Sequence, residues 1–120
     1  RLHREVPAER WCVTRPDLAQ FRRLVRRCVA EGRLVATDWD RFCASDDAIG
    51  PCIHTVSSQL IVPFTSSRAG KASWALMLHP EGLLCDIFVT HGWVEGIYEF
   101  VDKVLHSWPR GAQHAYCCML

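Results

Sequence analysis

What this chain lacks narrows its class first. No apolar run approaches the ~20 residues needed to cross a bilayer, and the opening RLHREVPAER has no apolar centre of a secretion signal. An excess of one charge is missing too. The 14 Lys and Arg nearly balance the 13 Asp and Glu, so at net +1 no global field draws the chain to nucleic acid or to a membrane. Compositional bias toward disorder, collagen or coiled coil is absent. Cysteine is plentiful, seven in 120 residues, but the count is odd and no CxxC pair repeats. That argues against a secreted disulfide framework, and reduced, mostly buried thiols in a cytoplasmic protein are expected instead. A bound metal is not expected either. Seven cysteines and six histidines lack paired close spacing, and Cys117-Cys118 would point to opposite faces of a strand.

Two further motifs are incomplete. Asp38, Asp40, Asp46 and Asp47 invite a calcium reading, but the glycine and the closing glutamate of an EF-hand loop are out of place. A short helical turn over 39–43 followed by a loop accounts for the stretch better. TSSRAGKAS has the Gly70-Lys71 of a phosphate-binding loop, yet Thr65 stands at the first glycine position and Ala72 where a magnesium-binding hydroxyl belongs. Nucleotide-triphosphatase chemistry is set aside on those grounds.

What is present is enough apolar residue, 49%, for the core of one domain. The chain is organised around Leu83–Trp108. Leu83, Leu84, Ile87, Phe88 and Val89 form a short apolar run suited to a buried strand. After Thr90-His91-Gly92, apolar residues recur at helical spacing at Val94, Ile97, Tyr98, Val101, Val104, Leu105 and Trp108, with Glu99 and Lys103 placed for an i, i+4 pair. A second strand, Ala115–Leu120, follows, parallel to Leu84–Val89 through a right-handed crossover. Upstream, Thr14 with Asp17 three residues on and Pro16 between them opens a helix. Leu18, Phe21, Leu24, Val25, Cys28 and Val29 line its apolar face, and Gly32 stops it. Arg22, Arg23, Arg26 and Arg27 read as its solvated face. The β-branched segment Ile53–Phe64 reads as a strand or extended piece, and a helix is expected over 72–79. Residues 1–82 are therefore expected to form a helical and extended region packed on the core, ahead of a strand–helix–strand unit over 83–120. The start at Arg1 and the stop in an apolar run suggest a fragment of a longer protein.

In open parallel sheets, ligands bind beyond the carboxyl ends of the strands. Here that position holds Thr90, His91, Trp93 and Glu95, the candidate ligand or partner site, with Thr90 as helix cap and Glu95 in the first turn. Structural roles weigh about equally for the group: Trp93 packing, His91 meeting loop carbonyls. Asp86-Ile87-Phe88-Val89-Thr90 and the acidic Glu95 resemble the first strand and loop of the Toll/interleukin-1 receptor (TIR) domain family, with Thr90 where that family has Ser. The resemblance covers residues 84–120. Phe88-Val89-Thr90-His91-Gly92-Trp93 is also similar to the F-V-[ST]-H-x-W block of some uncharacterised eukaryotic multidomain proteins. The TIR resemblance implies an α/β fold, a partial flavodoxin/TIR-like layer in which a short parallel sheet is flanked by helices. It also implies a signalling or protein-interaction module whose partner is another protein or a second copy. The family's NAD-cleaving members carry their catalytic Glu on a later helix, beyond this chain. NAD would then belong to the full-length domain, and this stretch would not be catalytically competent alone. The rival is a cytosolic thiol hydrolase pairing Cys85, Cys117 or Cys118 with His91 or His114. On this reading Leu84–Val89 lies mid-sheet, flanked by the helices starting near Thr14 and Trp93, and Phe88→Ala should cost about 3–5 kcal/mol.

Overall fold

The computed structural model describes residues 10–66, 73–117 and 119–120. The Gly70-Lys71-Ala72 segment and Cys118 lie outside the described residues. Strand β1 (Cys12–Thr14) runs straight into helix α1 (Arg15–Ala30). The junction is a reciprocal cap: Asp17 N–H donates to Thr14 Oγ1 at 3.2 Å, and Thr14 N–H donates to Asp17 Oδ2 at 2.9 Å. Leu18, Phe21, Val25, Cys28 and Val29 are buried along the expected stripe. Glu31 N–H bonds the Arg27 carbonyl at 2.9 Å, and Gly32 at φ +75° turns the chain away.

One arginine of the basic face is not simply solvated. Arg22 grips Asp102 through Nε at 2.7 Å and Nη2 at 3.0 Å, reaches Asp47 at 3.1 Å, and lies 4.5 Å over the Tyr98 ring. Arg22 thus ties α1 to the helix Ile97–His106 and to the loop that holds Asp47. Arg23, Arg26 and Arg27 are exposed as expected.

Ile53–Phe64 is helical, which corrects the expectation of a strand. It forms α2 (Ile53–Val56), a π-helical turn (Ser57–Ile61) and α3 (Val62–Ser66). The buried apolar positions Ile53, Val56 and Ile61 are separated by three and five residues, and Thr55 is buried beside them. Burial along a helix has outweighed β-branched preference. The five-residue step matches the widened π turn, which keeps Ile61 on the buried side. Residues 39–43 form no helix, another correction; the loop is held by carboxylates instead. Asp46 accepts from the N–H groups of Ala48, Ile49 and Gly50. The Gly50 and Ala48 N–H groups hold its carboxyl below the usual range. Helix α4 (Trp74–Leu78) is capped by Ser73, whose Oγ accepts from Leu76 N–H at 3.0 Å, so the helix expected over 72–79 is present in its described part.

The sheet is small and mixed, with order β1–β3–β2. Strand β2 (Ile87–Val89) is parallel to β3 (His114–Cys117), as anticipated, with α5 (Ile97–His106) between them in sequence. The expected position is corrected: β3 is the central strand and β2 an edge, because β1 pairs with β3 antiparallel through Cys12↔Tyr116 and Val13↔Ala115. Residues on either side of position 83 therefore share one sheet and one core. Val13, Cys117, Ile97, Phe100 and Val101 join the α1 stripe in that core. The opposite sheet face carries Cys12, Tyr116 and Phe88, covered near β1 by α4. Phe88 is 68% exposed and stacks on Tyr116 at 4.9 Å. Its ring fills no core site, so the large cost expected for Phe88→Ala does not apply. Broadly the fold is α/β. No helix among the described residues is long and apolar enough to cross a membrane.

The Thr14–Asp17 cap fixes an acid limit. Burial alone would raise the Asp17 carboxyl, but the Thr14 N–H, the His79 ring at 2.6 Å and the Thr14 hydroxyl together hold it below its ordinary value. A carboxyl depressed on folding contributes stability above its unfolded pKa, about 3.9. That contribution is lost as pH falls through the folded value. Urea unfolding between pH 6 and 3 should show this loss in the wild type. Asp17→Asn should lower stability by about 1 kcal/mol at pH 6 and flatten the acid slope. An unchanged slope would remove Asp17 from the account.

Candidate functional site

The loop after β2 is sewn to the start of α2. His54 N–H donates to the Trp93 carbonyl at 3.0 Å, and Ile53 N–H to the Glu95 carbonyl at 2.8 Å. Within the loop, Glu95 N–H donates to the Gly92 carbonyl at 3.1 Å. These bonds postpone the helix. It begins at Ile97 with Gly96 at the cap position, so Thr90 caps nothing and Glu99 is the acid of the first turn.

The four candidate residues consequently part company. Thr90 lines a shallow cleft with Phe88, Ser107 and Trp108. Glu95 takes an ion pair from Lys103 Nζ at 2.7 Å, the partner that sequence spacing assigned to Glu99. That contact raises the Lys103 ammonium above its ordinary pKa. His91 sits under Trp93, ring centroids 4.8 Å apart, and 5.8 Å from Phe100. Its Nε2 is buried and has no hydrogen-bond partner among the described residues. Only Trp93, 47% exposed, opens onto a large concavity.

That concavity is a groove of about 580 Å³ between the loop 37–40, helix α2 and residues 93–94. Trp39 (97% exposed), Trp93 and Val94 (90% exposed) supply apolar walls. His54 approaches Trp93 edge-on at 6.4 Å. The floor is polar: Asp40 Oδ2 accepts from Cys52 N–H at 2.8 Å and from the Thr55 hydroxyl at 2.6 Å. The Cys52 thiol is 3.3 Å from the Thr55 oxygen. A two-way clasp fixes the outer wall. Gln59 Nε2 donates to the Val35 carbonyl at 3.0 Å, and its Oε1 accepts from Val35 N–H at 2.9 Å. Asp40 is the one carboxylate of the lining, and no Lys or Arg side chain lines it.

No family model, curated protein or solved structure matches the chain. The site therefore has to be read from its own groups. Sequence reasoning missed Trp39, Asp40, His54 and Gln59, since reading 53–64 as extended hid their convergence on Trp93. The available signal was the helical spacing of Ile53, Val56 and Leu60.

Among the described residues, Cys85 and Cys117 form no thiol pair with His91 or His114; Cys118 lies outside them. Cys85 donates to the Ile87 carbonyl at 3.2 Å, and the His114 Nδ1–H to the Leu84 carbonyl at 2.8 Å. Cys117 is buried, and burial with Cys85 nearby pushes its thiol up to about 12, the opposite of activation. Among the described residues no group of three Cys, His, Asp or Glu side chains is placed to hold a metal.

Proposed function

We propose that this chain is a protein-interaction module that receives a short basic and apolar segment of a partner protein in the Trp39–Trp93 groove. The observation that carries the reading is two tryptophans and Val94 left open to water around one carboxylate. Large apolar side chains left exposed together mark interaction surfaces, and tryptophan is enriched at binding hot spots. An arginine or lysine can lie over the indole faces while its charge faces Asp40, and aliphatic neighbours cover Val94. The TIR resemblance supports the same class, a signalling module that acts through protein contacts. Its sheet, however, would follow the flavodoxin-like order 2-1-3-4-5, in which the second strand closes an edge. β3, the strand in that place, carries β1 on its far side. The proposal therefore rests on the groove and not on the resemblance.

Displaying random heptapeptides against the full chain tests it. Enriched sequences should carry Arg or Lys beside aliphatic residues. Their affinity should fall at least ~10-fold in Trp39→Ala and Trp93→Ala, as for hot-spot truncations, with unchanged far-ultraviolet circular dichroism. Enrichment indifferent to both substitutions, or no enrichment, would end the proposal.

A further inference from the structure

Two cysteines that play no part in the groove, one in β1 and one in the segment before β2, interact with each other. The Arg10 carbonyl accepts from Leu83 N–H at 2.9 Å, which pins the residues before β1 to the segment before β2. Two positions further along each chain come Cys12 and Cys85, and their thiols are in hydrogen-bond contact. Their exposure is opposite: Cys85 is open to solvent, and Cys12 is 1% exposed. Among the described residues the other exposed thiol, Cys43, has Ser45 Oγ at 3.0 Å as its neighbour, and Cys52 has Thr55. Among the described residues only Cys85 combines access to solvent with a second thiol in contact. Cys117 also lies near enough to act on Cys85 electrostatically, but it is buried in the core and makes no hydrogen bond to it.

We propose that Cys12 and Cys85 form a reversible disulfide when the protein meets a peroxide, fastening the segment before β2 onto β1. The Cys85 thiolate attacks one oxygen of hydrogen peroxide. The O–O bond breaks, one oxygen leaves as hydroxide and becomes water with the proton Cys85 released, and Cys85 is left as a sulfenic acid. The Cys12 sulfur then attacks that sulfur. The S–S bond forms, the S–O bond breaks, and the second oxygen departs as water with the Cys12 proton. The two thiols give up two electrons and the peroxide takes them. Burial, with Cys85 beside it, pushes the Cys12 thiol up to about 12, so the exposed partner reacts first and the buried one resolves. A small thiol such as glutathione returns both cysteines by exchange.

The full chain treated with hydrogen peroxide, blocked with iodoacetamide and digested without reduction gives the test. The expected product is one linked peptide pair containing Cys12 and Cys85. Its mass should be about 2 Da below the sum of the free peptides, and dithiothreitol should abolish it. Oxidised protein should melt at a higher temperature than reduced protein, because the cross-link restricts the unfolded chain. Cys85→Ser, a surface change that leaves the core intact, should lose both the pair and the shift, while Cys43→Ser keeps both. A Cys85–Cys117 pair would overturn the proposal, as would Cys85 sulfinic acid with Cys12 still free to alkylate after unfolding. Oxidation confined to Cys43 would also overturn it.

Discussion

Tyr98→Ala is expected to lose about 3–5 kcal/mol of unfolding free energy, the usual cost of emptying a large buried aromatic site. The ring is 1% exposed and is where three parts of the chain meet. It rises from α5, Arg22 of α1 lies over one face at 4.5 Å, and Gly50 lies so close that a Cβ there would come within 2.6 Å of the ring. Deleting it leaves a cavity that α1, α5 and the loop 46–50 cannot all close upon. Arg22 would keep Asp102 and Asp47 but lose its cation–π contact, about 0.5–1 kcal/mol of the total. Urea unfolding of Tyr98→Ala beside Phe88→Ala makes the comparison sharp. The exposed Phe88 should cost under about 1 kcal/mol. Equal losses at the two positions would contradict the packing described.

Gly96→Ala is the second large effect, at about 2–4 kcal/mol. A Cβ at this position would strike the Ile49 carbonyl and the Ile49 side chain, and backbone cannot move aside cheaply. The close approach has a purpose. The first N–H groups of α5 have no partners within the helix, and the loop supplies them: Ile97 N–H donates to the Pro51 carbonyl at 2.7 Å and Tyr98 N–H to the Ile49 carbonyl at 3.0 Å. Overpacking accounts for about 1–3 kcal/mol and the disturbed cap for about 1 more. Thermal unfolding with amide exchange at 97–99 checks it. Exchange should accelerate there first, and a variant with wild-type protection would show that the loop does not cap the helix.

These effects mark where local sequence was informative and where it was not. Helix α1 was legible because its signals are local: Thr14 and Asp17 cap each other three residues apart, and the stripe from Leu18 to Val29 has one period. Most of α5 was legible for the same reason. Its start was not, because Thr90-His91-Gly92 looked like the break while the true boundary at Gly96 is set by Ile49 and Pro51, nearly fifty positions upstream. The helical 53–66 segment was hidden by Ile53, Val56, Ile61 and Val62, whose branched side chains suggest a strand until their burial spacing is known. Strand β1 is three residues long and pairs about a hundred positions away, so nothing nearby announces that β3 is central. The site followed suit. Trp93 was found because it follows a recognisable strand, whereas Trp39 and Asp40 are held at the same groove by the Gln59–Val35 clasp and the Asp40 bonds to Cys52 and Thr55, all distant in sequence. His91 and Glu95, plausible from position alone, are drawn into packing and an ion pair.

The most direct measurement on the groove uses the indole N–H signals of the five tryptophans, one per residue, in a nitrogen–proton correlation spectrum. Titrating in a peptide enriched by display should move the Trp39 and Trp93 signals together and saturably. Those of Trp11, Trp74 and Trp108 should stay in place, since they lie elsewhere in the fold. Movement of Trp108 or Trp74 with Trp39 and Trp93 unmoved would contradict the account and put the interaction surface on another face.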